Sequence, residues 1–144
     1  MSGKQLDFGW LDANIFIHPL FTSDPHRPGC MAVLDAILQG RATGWLDAVT
    51  LHELTYALPR ALPRRFATRQ DVYAYLMGYL TCETLQCDDK EALMETLRLW
   101  VEAAPRFGDA RLLARARTRD MPVCTVNGKD FPGARNTYDA QVGG

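Results

Sequence analysis

The spacing of apolar positions changes several times along the chain, and the changes mark the elements. Residues 6–12, LDFGWLD, read as a short strand, and IFI at 15–17 leaves it at once. HPLFTSDPHRPG at 18–29 is rich in Pro, Ser, Asp and Gly and reads as a loop. Over 30–39, Met31, Leu34, Ile37 and Leu38 fall on one helical face, and Gly40 supplies a C-terminal stop. A second short strand is expected at 44–47. The next helix is expected to start near Thr50, because T-L-H-E fits a capping box, and to end at Pro59 and Pro63. Residues 65–81 predict a helix with an aromatic and apolar face of Phe66, Tyr73, Leu76, Met77 and Leu80. TLQC at 84–87 predicts a third strand. Asp88 with Glu91 then caps a helix carrying Leu93, Leu97, Trp100 and Val101. FGDARLLARARTR at 107–119 predicts another helix, PVCTV at 122–126 a buried strand, and 135–139 a last short strand.

Strands alternating with helices imply an α/β fold with a parallel sheet and helices on both faces. A chain of 144 residues fits one domain, 1–144. In such sheets ligands bind at the C-terminal ends of the strands. Residues just after the expected strands therefore matter most: Asp12, Asn14, Asp47, Thr125 and Asn127. The pentapeptide GWLDA occurs at 9–13 and again at 44–48. The flanking residues diverge and there is no third copy, so a repeat architecture is excluded. Two neighbouring strands with an apolar body and a polar rim account for the likeness.

Composition narrows the partners. Net charge is −1, so any nucleic-acid contact must come from a local patch. Lys4, Lys90 and Lys129 are the lysines, and arginine supplies the remaining basic residues. Arginine suits phosphate, although codon composition explains the bias equally well. Cys30, Cys82, Cys87 and Cys124 are scattered without a C-x-x-C pair, which argues against a disulfide framework or a zinc site. The N-terminus lacks the apolar region of a signal peptide, and no stretch has the apolar length of a membrane span. The expectation is a reduced, cytoplasmic protein with no membrane partner.

The acids have ordinary readings one at a time. Asp12 fits an Asx turn, Glu53 completes the box with Thr50, and Asp109 complements a helix dipole. Asn127 and Asp130 fit a turn around Asn-Gly. The expected topology, however, brings the strand ends at 12, 47 and 126 together, with Glu53 and Asp109 in the opening turns of nearby helices. Converging carboxylates repel unless protonated or neutralised by a cation. Oxygen-only ligands suit Mg²⁺ or Mn²⁺, ions that activate water at a phosphodiester.

Four blocks carry a resemblance. WLDANIFI resembles the opening motif of PIN domains, the nuclease family that includes VapC-like toxins. LHELTYAL resembles the block with the second acid, FGDARLLARA the block with the third, and VCTVNGKDF the closing Thr-x-Asp/Asn block. The likeness spans about residues 8–132. It implies a three-layer α/β/α PIN-like fold with a central parallel sheet. It further implies a Mg²⁺- or Mn²⁺-dependent endoribonuclease that cuts single-stranded RNA by in-line attack of a metal-activated water. By the resemblance Asp12, Glu53 and Asp109 fall on the metal-binding acids and Asn127 on the fourth catalytic position. Asn14 would brace Asp12, Thr125 would bind near the metal water or a phosphate, and Asp130 lies close enough to help. Asp47 falls where the family carries a small polar residue, which makes it an extra carboxylate or a helix cap.

Arg111 lies within a turn of Asp109 and is the best candidate for a phosphate contact. The wider sets Arg111, Arg115, Arg119 and Arg60, Arg64, Arg65, Arg69 read first as solvated faces. His18, His26 and His52 show no ligand spacing. Tyr73, Tyr75, Tyr79 and Trp100 sit at core spacing. The helix at 65–81 offers a surface for a homodimer or an antitoxin. The leading expectation is the toxin of a type II toxin–antitoxin pair. The alternatives are a degenerate PIN domain that binds RNA or protein without cutting, and a free-standing RNA-processing PIN nuclease.

Overall fold

A glycine bends the first strand near its end. The computed structural model describes residues 5–138. β1 (Leu6–Trp10), β2 (Ala42–Trp45) and β3 (Leu85–Gln86) form a parallel sheet in the order β1-β2-β3. Leu6 lies opposite Ala42, and Trp10 lies opposite Trp45, with a register shift between Asp7 and Trp10. Gly9 sits at that shift with φ +72°, a backbone state that glycine adopts without steric cost. The Asp7 carboxylate accepts from its N–H at 2.8 Å. Past the shift the two GWLDA segments run side by side. The Leu11 N–H bonds the Trp45 carbonyl at 2.8 Å, and the rings of Trp10 and Trp45 lie 5.5 Å apart.

The helices joining these strands are α1 (Asn14–Ile17), α2 (Arg27–Leu38), α3 (Ala48–Ala61) and α4 (Arg69–Leu80). A 3-10 turn, His18–Leu20, comes directly after α1. Together they make one compact unit, Met1–Asp88. Its core is built from Phe16, Ile37, Leu46, Leu51, Leu54, Leu58, Leu76, Leu80 and Leu85, all fully buried. The Tyr75 hydroxyl donates to the Phe16 carbonyl at 2.8 Å and ties α4 to α1. A second unit, Asp89–Gly144, contains α5 (Lys90–Glu102) and α6 (Phe107–Thr118), which pack on each other; Leu97, Leu99, Ala110, Leu113 and Ala114 on these helices are buried. Among the described residues the result is a mixed α/β chain with six α-helices and a three-stranded parallel sheet. None of these helices is long and apolar enough to cross a membrane.

Several boundaries differ from expectation, each for a local reason. α2 starts at Arg27 and not at residue 30, because Pro28 sits in its first turn, where a missing N–H breaks no helix bond. β2 spans Ala42–Trp45, which releases Asp47 from the strand to cap α3: its carboxylate accepts from Val49 N–H at 3.1 Å. The helix therefore starts at Ala48, and Thr50 with Glu53 does not form the cap. Pro59 lies inside α3, which continues to Ala61; so near the end it removes a single bond. α4 starts at Arg69 because Thr68 and Asp71 form a reciprocal capping box. Asp89, with φ 53°, caps α5 in place of Asp88.

The largest correction concerns 122–126. That segment forms no strand; it makes a single parallel bridge, Val123 to Asn136. The Asn136 amide takes the backbone groups that a strand partner would, accepting from Thr125 N–H at 3.2 Å and donating to the Thr125 carbonyl at 3.0 Å. Val126 stands 72% exposed. The strand expected at 135–139 is reduced to the same bridge, and residue 139 lies outside the described residues.

Candidate functional site

In the first unit the paired strand ends place the candidate residues. Asp12 and Asp47 each stand two residues beyond a parallel strand, on neighbouring strands in register. Their side chains differ in environment. Asp47 caps α3 through Val49 N–H. Asp12 is exposed and accepts a hydrogen bond from Asn14 Nδ2 at 3.3 Å. The helix after it, α1, has Ala13 at its N-cap and no side-chain cap, so capping makes no use of the Asp12 carboxylate. Glu53 lies on α3 and is exposed, less than two turns from the Asp47 cap. Thus β1 delivers Asp12, Asn14 braces it, and β2 with its cap sets the start of the helix that carries Glu53.

In the second unit Asp109 is half-buried in the first turn of α6, and Arg111 is half-buried two residues on. Thr125 and Asn127 are brought together, since the Asn127 N–H donates to Thr125 Oγ1 at 3.0 Å. A 3-10 turn, Gly128–Asp130, comes next, with the Asp130 N–H bonded to the Asn127 carbonyl at 3.0 Å. Asn127 is exposed and Asp130 half-buried. Asn136, which sequence reasoning missed, holds this loop through Thr125. Its residue type and its place in a Gly- and Pro-containing tail gave no periodic signal. The basic sets are partly engaged: Arg119 lies 3.8 Å from Asp89, Arg60 stacks on Tyr56 at 4.0 Å, and Arg65 lies over Phe66 and Tyr75. Tyr75 and Tyr79 make edge contacts with each other, Phe66 and Phe16, as core residues do.

The donors that these residues offer are carboxylates, an amide and a hydroxyl, all oxygen ligands of the kind Mg²⁺ and Mn²⁺ take. Among the described residues, no three His, Cys, Asp or Glu side chains gather as a metal-holding group. The chemistry of the donors fits a hard divalent cation.

The sequence also hid a second cluster. His18 Nδ1 lies 2.5 Å from the Asp24 carboxylate, which also accepts the His26 N–H at 2.8 Å. The His18 and His26 rings meet edge to face at 5.1 Å. The bond from His18 holds the Asp24 carboxyl below its usual range, and burial pushes the Cys30 thiol up. These contacts span a loop, so no helical or strand spacing announced them; the D-x-H turn at 24–26 was the one local signal. No protein-family model matches the chain, and no curated protein matches it.

Proposed function

We propose that this chain is a PIN-like endoribonuclease that cleaves single-stranded RNA with Mg²⁺ or Mn²⁺, acting as the toxin of a type II toxin–antitoxin pair. On this reading the sheet is the centre of a three-layer α/β/α domain spanning 1–144. The observation that carries it is the exposed Asp12 carboxylate at the C-terminal end of a parallel strand, braced by Asn14, where α/β sheets bind ligands. The four sequence blocks supply the rest of the argument. Asp12, Glu53 and Asp109 would hold the cation, with Asn127 as a neutral fourth donor. The bound cation supplies water activation and neutralises charge at phosphorus.

This chain's own residues do the positioning. The Asn14 amide fixes the Asp12 carboxylate through its 3.3 Å bond. Thr125 holds Asn127 by its backbone, and Asn136 holds Thr125. Arg111 offers a guanidinium to a backbone phosphate two residues from Asp109. Asp47 caps α3 and so sets where Glu53 stands. A homodimer or a bound antitoxin would use the surface of α4.

One observation favours a second reading, an RNA- or protein-binding domain without cleavage: Asn127 is neutral at a position that the family often fills with Asp. Incubating the full chain with single-stranded RNA and Mn²⁺ or Mg²⁺ separates the two. The ribonuclease reading expects fragments with 5′-phosphate and 3′-hydroxyl ends, lost on adding chelator and lost in Asp12→Asn, Glu53→Gln and Asp109→Asn. RNA binding without fragments supports the second reading. Full cutting by folded Asp109→Asn removes that residue from the site.

A further inference from the structure

A wide-open cavity of about 390 Å³ lies among α1, the loop at 18–26 and the first turns of α2. Its walls are the side chains of Ile15, Pro25 and Val33, the His18 and His26 rings, and Asn14. We propose that this cavity binds one nucleobase of the RNA strand, so that it positions the strand against Asp12 and sets base preference. The proposal rests on the ribonuclease reading of the Asp12 site and adds a base subsite to it.

Four observations carry it. First, the volume lies in the range that holds a small planar ligand. Second, the lining is apolar and aromatic with few polar groups, which suits a base face; every base has a π surface to stack. Third, the two imidazoles are preorganised. Asp24 clamps His18 by its 2.5 Å contact and turns the backbone at His26, and the rings hold each other at 5.1 Å. With Nδ1 tied to Asp24, His18 is left with Nε2 as its second hydrogen-bonding atom. Fourth, Asn14 belongs to both places. It lines the cavity and donates to Asp12. Asn14 thus connects a base held there to the Asp12 carboxylate.

A phosphate is the poorer occupant. No Lys or Arg is among the lining residues, and the Asp24 carboxylate stands behind His18. Both features disfavour an anion in the cavity itself.

The test reads binding apart from cleavage. The full chain, in chelator, is titrated with AMP, GMP, CMP, UMP and ribose 5-phosphate while the His18 and His26 ring Cε1–H resonances are tracked by NMR. At least one nucleotide is expected to shift both resonances saturably, and ribose 5-phosphate is not. Gly29 borders the cavity, and a Cβ added there meets no atom within 4 Å, so Gly29→Phe starts a bulky side chain from open space at the cavity's edge. It is expected to abolish the shifts in a folded chain. His26→Ala is expected to weaken nucleotide binding about fivefold or more, the size of losing one stacking contact. No nucleotide-dependent shift, equal shifts with ribose 5-phosphate, or binding that survives Gly29→Phe each overturns the proposal. Nucleotide binding by a chain that cuts no RNA with Mn²⁺ upholds the cavity and overturns the ribonuclease reading instead. Cutting without nucleotide binding does the reverse.

Discussion

The two GWLDA segments are identical in sequence and adjacent in space, yet equivalent residues do different jobs. Their leucines match: Leu11 and Leu46 are both buried. Their tryptophans face each other across the strands. Their glycines part company. Gly9 is needed for its φ of +72° at the register shift, and a Cβ there would meet nothing. Gly44 has an ordinary backbone, but a Cβ there would come within 2.8 Å of Ile37 Cδ1 and 2.9 Å of Leu11 Cδ1. Their aspartates part company too. Asp47 caps a 14-residue helix, while Asp12 precedes a four-residue helix without a side-chain cap and is braced by Asn14. The shared residues pair the two strands and bury both leucines, while the burial of the paired Gly, Trp and Ala differs. The residue at which the helix starts after each copy separates the two carboxylates: α3 starts at Ala48 and makes Asp47 its N-cap, whereas α1 starts at Asn14 with Ala13 as its N-cap, which leaves the Asp12 carboxylate out of the cap.

The largest expected effects bearing on this contrast are on activity. Asp12→Asn should lower Mn²⁺-dependent RNA cleavage by about a hundredfold or more, as loss of a group stabilising transition-state charge does. Asn14→Ala should cost about tenfold, because it removes the brace and leaves the ligand. Rates on a labelled single-stranded RNA measure both. Next come the glycines. Gly44→Ala should destabilise by about 2 kcal/mol through overpacking, read as a lower denaturant midpoint at unchanged slope. Trimming the obstructing methyl in Gly44→Ala with Ile37→Val should recover part of that loss, which a double-mutant cycle detects. Gly9→Ala should cost about 1.5 kcal/mol from its left-handed backbone, and Ile37→Val should recover none of it. The smallest effect is Asp47→Ala, about 1 kcal/mol from a lost cap, whereas Asp47→Ser keeps a capping oxygen and should be near neutral.

Much of this was legible in the sequence for a physical reason. Parallel strands and packed helices carry dense apolar periodicity, so β1, β2, β3, α5 and α6 were located within a few residues. The position of Asp12 just past a strand end was legible because it ends an apolar run. What failed was local competition between caps. T-L-H-E at 50–53 fits a capping box, but Asp47 lies nearer the strand end and starts the helix first. PVCTV has a strand's composition, yet the Asn136 amide occupies the Thr125 backbone and no ladder forms. The His18–Asp24–His26 cluster was invisible because contacts across an irregular loop leave no period in the sequence.

On the proposed function the two matching aspartates have unlike roles. The most direct measurement compares Mn²⁺-dependent cleavage of one single-stranded RNA by the native chain, Asp12→Asn and Asp47→Ser, each shown folded by circular dichroism. Asp47→Ser is expected to cut at close to the native rate and Asp12→Asn not to cut. Equal losses in the two variants would contradict this and would mean that the symmetry of the two GWLDA copies extends to their carboxylates.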